Sequence, residues 1–349
     1  MTRVRSVGML DRLPLDSTEW LQLVQRMPGA TLFHHPVWAA AIAGAYGFGA
    51  FALALRRDEG SRHIAGIPVI ELSHPLTRRR RWSSLPFTDA CPPLVRTEDA
   101  ATFAAELDVL RVEADVAQFD VGGAFADATA TTSARRVLHT LPLDPDPEVV
   151  EKRYRSSVRR NVRAARASGL VLRRATSESD MADIFYRLHV LTRRRLGLPA
   201  QPQGFFRRLW RGVLAPGYGH LSIVESGGTP VAAGVFLAWN DATIYKYGAS
   251  DPCAWHLRPN NLIFAEEIAR ACRAGCASFH FGRTDVEDAG LRRFKLAWGA
   301  EEEPVRSTIF GSLPRHERGG PPQVLREVVR RSPPFVARAL GNVLYRYAA

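Results

Sequence analysis

The feature that most constrains the fold is a long internal repeat. Residues 64–69 (IAGIPV) and 231–236 (VAAGVF) are similar strand-like runs, and each follows a turn that contains glycine. Both lie within nearly the same order of predicted elements, which is helix, helix, hairpin, strand, helix and strand. Solenoid repeats are about 20–50 residues long, so a repeat at this much longer interval indicates two copies of one αβ domain.

The length of 349 residues is compatible with two domains. We place the boundary in the stretch 144–147 (DPDP), whose prolines and acids are typical of a linker that ends in a helix N-cap. The sequence therefore predicts an N-terminal domain over 1–144 and a second domain over 145–312. A helical tail over 313–349 is expected to pack back on the domains.

Hydrophobic periodicity predicts the individual elements. In the first domain they are a strand followed by a helix around Trp20, a helix over 36–46, strands over 50–56 and 63–72, a helix over 98–113, and strands over 115–121 and 135–143. In the second they are helices over 147–168, 179–196, about 205–210 and 259–274, and strands over 170–174, 220–225, 230–239, 242–249 and 277–281. Two short helices are expected in the tail.

The excess charge of the chain is basic and is carried almost entirely by arginine. There are 47 Lys and Arg against 35 Asp and Glu, for a net charge of +12, and the sequence contains three lysines. On the predicted helix 147–168, four arginines line a face adjacent to the apolar stripe, and we call them the basic ridge: Arg155, Arg159, Arg163 and Arg166. A polyanionic partner is plausible, although a GC-rich genome also replaces Lys with Arg.

Several classes of protein find no support in the sequence. No apolar run approaches the roughly 18 residues of a membrane span, and residues 1–20 lack the apolar core of a secretory signal. The four cysteines are too scattered for a disulfide framework, so we expect a cytoplasmic protein. G-x-S-x-G, P-loop, G-x-G-x-x-G and zinc-ligand patterns are missing, which argues against hydrolases, ATP-driven ligases and dehydrogenases. We predict no metal and no cofactor.

An ordered series of segments resembles the FemABX family of aminoacyltransferases, which have the GCN5-related N-acyltransferase (GNAT) fold in doubled form. These segments are FHHPVW (33–38) and SLPFTD (84–89) in the first domain, and TRRRLGLPAQPQGFF (192–206), GGTPVAAGVF (227–236), YGAS (247–250), RPNNLIFAEEI (258–268), FHFGRTD (279–285) and LRRFKLAWGAE (291–301) in the second. The resemblance implies an α+β fold of two tandem GNAT-like domains, each a mixed, mostly antiparallel sheet flanked by helices. It also implies transfer of an aminoacyl group from charged tRNA to an amine of a small-molecule or peptide acceptor.

The resemblance further implies residues at the reacting centre. Lys295 in FKLAWG corresponds to the family lysine whose ammonium can stabilise a developing oxyanion. Phe294 and Trp298 flank this lysine, and we assign them to substrate binding. Arg283 and Asp285 come at the C-terminal end of a predicted strand, where loops carry chemistry. Asp285 could accept a proton or cap the loop.

A second set of residues is assigned to the acceptor. Side chains alternate along a strand, so Tyr245 and Tyr247 are expected to share a face, and Tyr247 corresponds to family tyrosines that touch the acceptor. Arg194 and Arg195 match the position of a family arginine that meets a phosphate or carboxylate, which a guanidinium binds through two hydrogen bonds. Asp89 in SLPFTD is added to this set. Core packing or surface charge explains these residues equally well.

The donor depends on residues 258–263 (RPNNLI). Acyl-CoA enzymes of this superfamily carry a Q/R-x-x-G-x-G/A turn, whose backbone N–H groups and helix N-terminus hold a pyrophosphate. Here the arginine is retained and both glycines are missing. We expect Leu262 and Ile263 to obstruct the pyrophosphate, which makes CoA the weaker donor.

Arg258, Asn260 and Asn261, together with the basic ridge, are therefore assigned to an aminoacyl-tRNA donor. Two alternatives stay open. One is an N-acyltransferase that uses an acyl-CoA or carrier-protein thioester. The other is a non-catalytic nucleic-acid-binding protein.

Overall fold

The computed structural model describes residues 9–73, 79–125, 131–311 and 323–345, without the side chains of 131–134. It forms two compact units. The first contains the chain up to Arg136 and the segment that begins at Pro304, and the second contains Val137–Glu303 and the C-terminal helices. The boundary between the units, at residues 136 and 137, lies inside a strand and before the predicted linker at 144–147. The domain limits given above stay predictions.

The described strands of the first unit form a sheet in the order β1-β2-β3-β4-β5-β12. Its elements are β1 (Met9–Leu13), α1 (Thr18–Arg26), α2 (Pro36–Tyr46), β2 (Gly49–Arg56), β3 (Ala65–Ser73), β4 (Arg80–Ser83), α3 (Thr97–Glu113), β5 (Val116–Val121) and the end of β12 (Glu301–Gly311). The pair β4/β5 is parallel, and the other pairs are antiparallel. The helices and the hairpin predicted for this unit are confirmed.

The second unit has strand order β6-β11-β10-β9-β8-β7. Its elements are β6 (Thr131–Pro142), α4 (Pro147–Arg153), α5 (Ser156–Arg166), β7 (Leu170–Arg174), a π-helical segment (Asp180–Phe185), α6 (Tyr186–Arg195), α7 (Gln203–Leu209), a second π-helical segment (Trp210–Leu214), β8 (Gly219–Ser226), β9 (Thr229–Trp239), β10 (Ala242–Ser250), a 3₁₀ helix (Pro252–Leu257), α8 (Pro259–Arg273), β11 (Ser278–Asp285), α9 (Ala289–Leu296), α10 (Gln323–Arg331) and α11 (Pro334–Leu344). The predicted α+β class, with a mostly antiparallel sheet flanked by helices, is confirmed.

The glycine shared by the two repeats lies on a central strand in each unit. A Cβ added at Gly66 of β3 would lie 2.7 Å from both Leu23 and Trp20 of α1. A Cβ added at Gly234 of β9 would lie 2.9 Å from the Phe236 ring. Since real Cβ atoms do not approach so closely, glycine is needed at both places for neighbouring groups to pack onto the strand.

One predicted helix is wrong in its extent. The sequence predicts a single helix over 147–168, but α4 ends at Arg153 and α5 begins at Ser156, with Tyr154 in an extended conformation (φ −66°, ψ 141°). The break lets the Tyr154 ring pack against Trp298, at 4.9 Å between centroids, while the Arg155 N–H donates to the Ala297 carbonyl at 2.9 Å. Tertiary packing therefore overrides helix propensity here.

The two tail helices pack on α6 and on the loop that follows it. The Ala200 N–H donates to the Ala337 carbonyl at 2.9 Å, and Arg193 Nη2 donates to the Tyr345 hydroxyl at 2.8 Å. A Cβ on Gly341 would lie 1.6 Å from the Ala200 carbonyl oxygen, so α11 approaches this loop at backbone distance. The tail is thus an integral part of the second unit.

Helix α8 is attached to the sheet through a buried carboxylate. Glu267 is 1% exposed, accepts a hydrogen bond from Ser222 Oγ at 2.5 Å, and lies 2.7 Å from His220 Nε2. Burial alone raises the pKa of Glu267, but the contacts with His220, Ser222 and Arg270 outweigh burial and lower it. These contacts fix α8 over β8.

We expect this carboxylate to make folding stability depend on acid pH. Because the pKa of Glu267 is lowered in the folded state, its contribution is complete above the unfolded value of about 4.3 and is lost as the pH falls through the folded pKa. Glu267→Gln should cost about 2 kcal/mol at neutral pH and flatten the decline of unfolding free energy below pH 5. Urea unfolding between pH 7 and 3 measures both effects. Glu266→Gln, on the adjacent, more exposed carboxylate, should change neither, and an unaltered acid slope in Glu267→Gln would contradict the assignment.

Candidate functional site

Two parallel strands separate in the middle of the second unit. The register of β10 with β11 over the described residues covers Ala242–Ile244 against Ser278–His280 and stops there. Beyond this point β10 continues to Ser250 alongside β9, and β11 continues to Asp285. The two strands therefore diverge after Ile244, and at the far end of β10 the Ser250 N–H donates to the Thr192 hydroxyl of α6 at 3.1 Å while the Ser250 carbonyl accepts from that hydroxyl at 3.4 Å. We call the space between the diverging strands the gap.

A β-bulge lies where this gap begins. The register of β10 with β9 shifts between Tyr245 and Tyr247, so Lys246 is the extra residue. The Tyr245 ring packs on Phe264 of α8 at 4.7 Å, whereas the Tyr247 ring packs on Phe206 of α7 at 5.5 Å. The expectation that the two tyrosines share a face is wrong, because the bulge reverses the alternation. Tyr247 stays a predicted acceptor residue and lies among aromatic side chains.

Lys295 of α9 is buried beside the diverging strand. It is 4% exposed, and its ammonium donates to the carbonyls of Gly282 at 2.7 Å and Arg283 at 3.3 Å. Both carbonyls belong to β11 after the point where β10 leaves it. The ammonium is thus held by peptide dipoles at the carboxyl-terminal half of the strand, where a low dielectric strengthens electrostatic interactions.

Arg283 and Asp285 are part of β11 and do not follow it, because the strand extends beyond the predicted end at residue 281. Asp285 is the last residue of the strand and is exposed, and its carbonyl accepts the Asp288 N–H at 2.9 Å. The structure therefore brings Lys295, Arg283 and Asp285 together at one end of β11. Their catalytic roles stay predictions.

The aromatic residues near Lys295 occupy different depths. Phe294 is half-buried, with its ring 6.2 Å from that of Trp298. Trp298 is completely buried and packs against Tyr154 and Phe264, at centroid distances of 4.9 and 5.6 Å. Trp298 therefore supports the helix that carries Lys295 from inside the core, and its predicted contact with substrate gains no support from this position.

A buried histidine near Lys295 was not anticipated. His139 of β6 is fully buried, with Nε2 3.0 Å from Glu302 Oε2, and Arg292 donates two hydrogen bonds to Glu302 at 2.7 and 2.8 Å. Burial lowers the pKa of His139, and the charge of Lys295 lowers it further, against the effect of Glu302. Arg292 lowers the pKa of Glu302. The sequence offers no local signal for this cluster, since its members come from three separate elements.

The remaining predicted acceptor residues lie elsewhere. Arg194 Nε donates to the Ser332 carbonyl of the tail at 2.6 Å, and the Arg195 guanidinium lies 4.7 Å from the centre of the Trp255 ring. Asp89 is half-buried in the loop after β4, in the first unit. Arg194 therefore has a structural contact with the tail, and acceptor binding by these three residues stays a prediction.

The residues assigned to the donor lie at the start of α8. Arg258 has a left-handed backbone conformation (φ 59°), and its Nε donates to Asn161 of α5 at 2.9 Å. Asn260 donates to Ser250 Oγ at 3.3 Å, and the Asn261 N–H donates to the Arg258 carbonyl at 3.0 Å. These residues therefore join the end of β10, α5 and α8.

The obstruction expected from Leu262 and Ile263 stays a prediction. Both side chains are buried in the core of the second unit, at 5% and 3% exposure, on the inner face of α8. They therefore face the core and not the solvent side of the helix, which the linear motif could not reveal. The argument against a pyrophosphate donor is correspondingly weaker.

The basic ridge is partly engaged in contacts within the chain. Arg166 lies 3.1 Å from Glu266, and Arg159 donates to the carbonyls of Lys152 and Tyr154 at 3.0 and 3.1 Å. Arg155, the N-cap residue of α5, and Arg163 within the helix are exposed. Arg166 is exposed as well, and it differs from these two by its ion pair with Glu266.

The described part of the chain contains no helix long and apolar enough to cross a membrane. No group of His, Cys, Asp and Glu within the described residues is arranged to hold a metal ion.

Residues 152–296 match the family profile of the acetyltransferase (GNAT) domain. This part of the second unit is therefore similar to GNAT domains. The match extends from α4 to the end of α9 and therefore includes the separating strands, the bulge and Lys295. No protein of curated function matches the sequence.

Solved structures share the fold over most of the chain. FemX superimposes with a TM-score of 0.69 at 13% identity, covering 87% of this chain and 97% of FemX. The L-PGS structure from Bacillus licheniformis gives 0.53 at 12% identity, covering 95% and 99%. The C-terminal domain of a putative lysylphosphatidylglycerol synthetase from Agrobacterium fabrum gives 0.52 at 13% identity, covering 83% and 92%. At these identities the likeness extends to the fold, and it agrees with the doubled GNAT fold implied by the sequence resemblance.

Proposed function

We propose that this GNAT-fold acyltransferase forms amide bonds by transferring an aminoacyl group from charged tRNA to an amine of a small-molecule or peptide acceptor. The observation that carries the proposal is the buried ammonium of Lys295. It donates to a carbonyl of β11 in the region where β10 and β11 separate. In the reaction the amine nitrogen bonds to the ester carbonyl carbon, the ester C–O bond breaks, and the amine proton is transferred to a base. The ribose oxygen leaves as a hydroxyl after taking up this proton from the base.

The gap between β10 and β11 suits an activated acyl group. An extended ligand can lie between the two strands where they diverge, beside β11. A carbonyl held there beside β11 lies in the field of the Lys295 ammonium. Since negative charge develops on the carbonyl oxygen during attack, a fixed cation nearby favours the transition state over the ground state. Asp285 is the proposed proton acceptor.

The exposed arginines of α5 favour tRNA as the donor. Arg155 and Arg163 point to solvent on the helix that Arg258 joins to the start of α8. Phosphates of an acceptor stem are the kind of ligand that such cations bind, with strong dependence on salt. A charged-tRNA donor also implies a cytoplasmic reaction.

A second candidate is an N-acyltransferase that uses an acyl thioester. The observation that favours it is the burial of Leu262 and Ile263, so that neither side chain covers the solvent side of α8 near its start. A helix N-terminus binds phosphate groups readily.

The donor can be identified by asking which labelled donor gives a product that is stable in base. We expect a label to move from tRNA charged with radiolabelled amino acids onto components of a bacterial small-molecule extract. Mild base cleaves aminoacyl esters and spares amides, so base-stable label reports amide formation. Prior RNase treatment should abolish the transfer. Label moving from acetyl-CoA instead would favour the thioester donor, and tRNA binding with no transfer from either donor would favour a non-catalytic nucleic-acid-binding protein.

The contribution of the ridge can be tested separately. Arg155→Gln/Arg163→Gln should raise the KM for charged tRNA about tenfold and reduce the salt dependence of binding. A matched control, Arg208→Gln/Arg211→Gln, removes two exposed arginines of the same unit from a different surface. Equal effects of the two double variants would contradict a specific tRNA surface on α5.

A further inference from the structure

The tail helix α11 presents apolar side chains to solvent along one face. Phe335 and Val343 are 65% and 60% exposed. Ala339, which is also exposed, lies midway between them in the sequence. Spacing of four residues places all three on one face of the helix. The face toward the protein carries the small residues Ala337 and Gly341, which are buried. Val336, Leu340 and Leu344 are half-buried, so Phe335 and Val343 are the large apolar residues of α11 that point outward.

Helix α10 also has exposed apolar side chains, and it carries excess positive charge. Val324 and Val328, four residues apart, are 77% and 49% exposed, while Val329 is fully buried. The exposed arginines of this helix are Arg326, Arg330 and Arg331. Glu327 forms ion pairs with the last two, at 3.7 and 2.7 Å, so the three arginines exceed the acidic charge of the helix.

A cavity opens beside the apolar face of α11. It has a volume of about 370 Å³. One side is formed by α6 and the π-helical segment that precedes it, and the other side by the first turn of α11. Its walls are mostly apolar, and its charged lining residues are Asp183, Arg187 and Arg338. Phe335 belongs both to this lining and to the exposed face. The cavity and the apolar face are therefore continuous, and a cavity of this size can accept part of a ligand.

The guanidinium groups beside this cavity are held near its walls. The Arg338 guanidinium lies 5.6 Å from the centre of the Tyr186 ring, and Arg187 Nη2 donates to the Pro230 carbonyl at 3.1 Å. Each retains further N–H donors, because a guanidinium carries five. An apolar cleft bordered by two arginines suits a ligand with an apolar chain and an anionic head.

We propose that the exposed face of α10 and α11 docks on the surface of an anionic phospholipid bilayer. Exposed valine and phenylalanine beside arginine are the composition of helices that lie in a membrane interface, where apolar side chains enter the acyl boundary and cations meet lipid phosphates. A second copy of this chain would bring the same arginines and a net charge of +12 to the contact, so the two copies would repel each other. An anionic bilayer instead attracts the arginines and the positive net charge. The proposal goes beyond the proposed acyl transfer and does not depend on it.

Flotation with lipid vesicles tests this proposal on the full chain. We expect binding to vesicles of phosphatidylcholine mixed with phosphatidylglycerol, weak binding to phosphatidylcholine alone, and release in high salt. Phe335→Ser/Val343→Ser should lower the binding constant about tenfold or more, because two apolar side chains no longer enter the interface. Arg330→Gln/Arg331→Gln should lower it by a similar factor on anionic vesicles.

The matched control is Val109→Ser/Val112→Ser on α3, where the two valines are 52% and 62% exposed in the other unit. It should bind vesicles like the unmodified protein. All three double variants change exposed side chains, and circular dichroism checks that they fold. Equal binding by the α11 variant and the control would overturn the proposal. A second outcome would also overturn it. If light scattering showed a dimer that the α11 substitutions dissociate and lipid does not affect, the face would join two copies of the chain.

Discussion

Replacing Lys295 by methionine should lower kcat/KM for amide formation about a hundredfold or more, with little change in the binding of charged tRNA. Methionine keeps the apolar length of the side chain and removes the ammonium that the Gly282 and Arg283 carbonyls hold. A fixed cation that acts on developing charge contributes to the transition state more than to the ground state, and loss of one such group typically costs 10²–10³ in rate. The base-stable label assay, with tRNA binding measured in parallel, separates the two effects.

The control for this variant is Lys152→Met, which removes an exposed lysine of α4. We expect it to change kcat/KM less than about threefold. Circular dichroism and thermal unfolding establish that Lys295→Met is folded, which matters because the lysine is buried. A folded Lys295→Met protein with the activity of the Lys152→Met control would exclude Lys295 from the reaction.

The largest effect on stability is expected at Trp298. Its side chain is completely buried among Tyr154, Phe264 and Phe281, so truncation leaves a cavity where α9 meets the core. Trp298→Ala should lower the free energy of unfolding by about 3–5 kcal/mol. Urea unfolding followed by circular dichroism measures this difference.

Trp298→Phe provides the matched comparison. Trp298 Nε1 has no hydrogen-bond acceptor among the described residues, so phenylalanine keeps most of the packing and removes a donor that is not satisfied. We expect a loss well below that of the alanine variant. If Trp298→Ala unfolded at the same urea concentration as the unmodified protein, the ring would not support α9 as we describe.

Much of the secondary structure was predictable because its signals are local. The helix over 36–46 has the bounds of α2, with proline at its start and glycine at its C-cap, and the strand over 170–174 has the bounds of β7. Elements defined by distant contacts were less accessible. The break at Tyr154 depends on Trp298, far away in the sequence, and α9 and β12 were not predicted as elements.

The candidate site was predictable only in part, for the same reason. The motif around Lys295 singled out this lysine, but it did not reveal its burial or its hydrogen bond to the Gly282 carbonyl of β11. The reversal of Tyr245 and Tyr247 follows from a one-residue bulge, which period-two alternation does not reveal. The inward direction of Leu262 depends on which face of α8 meets the sheet. The pairing of His139 with Glu302 joins two strands that the sequence separates widely.

The position of β12 in the chain has a consequence for the order of assembly. Its residues Thr308–Gly311 lie against Gln118–Val121 of β5, in the sheet of the first unit. On the ribosome, β5 emerges long before this partner strand has been translated. Until then β5 is an open edge whose unpaired amides can recruit a strand from another nascent chain, so the N-terminal half made alone should be prone to aggregate.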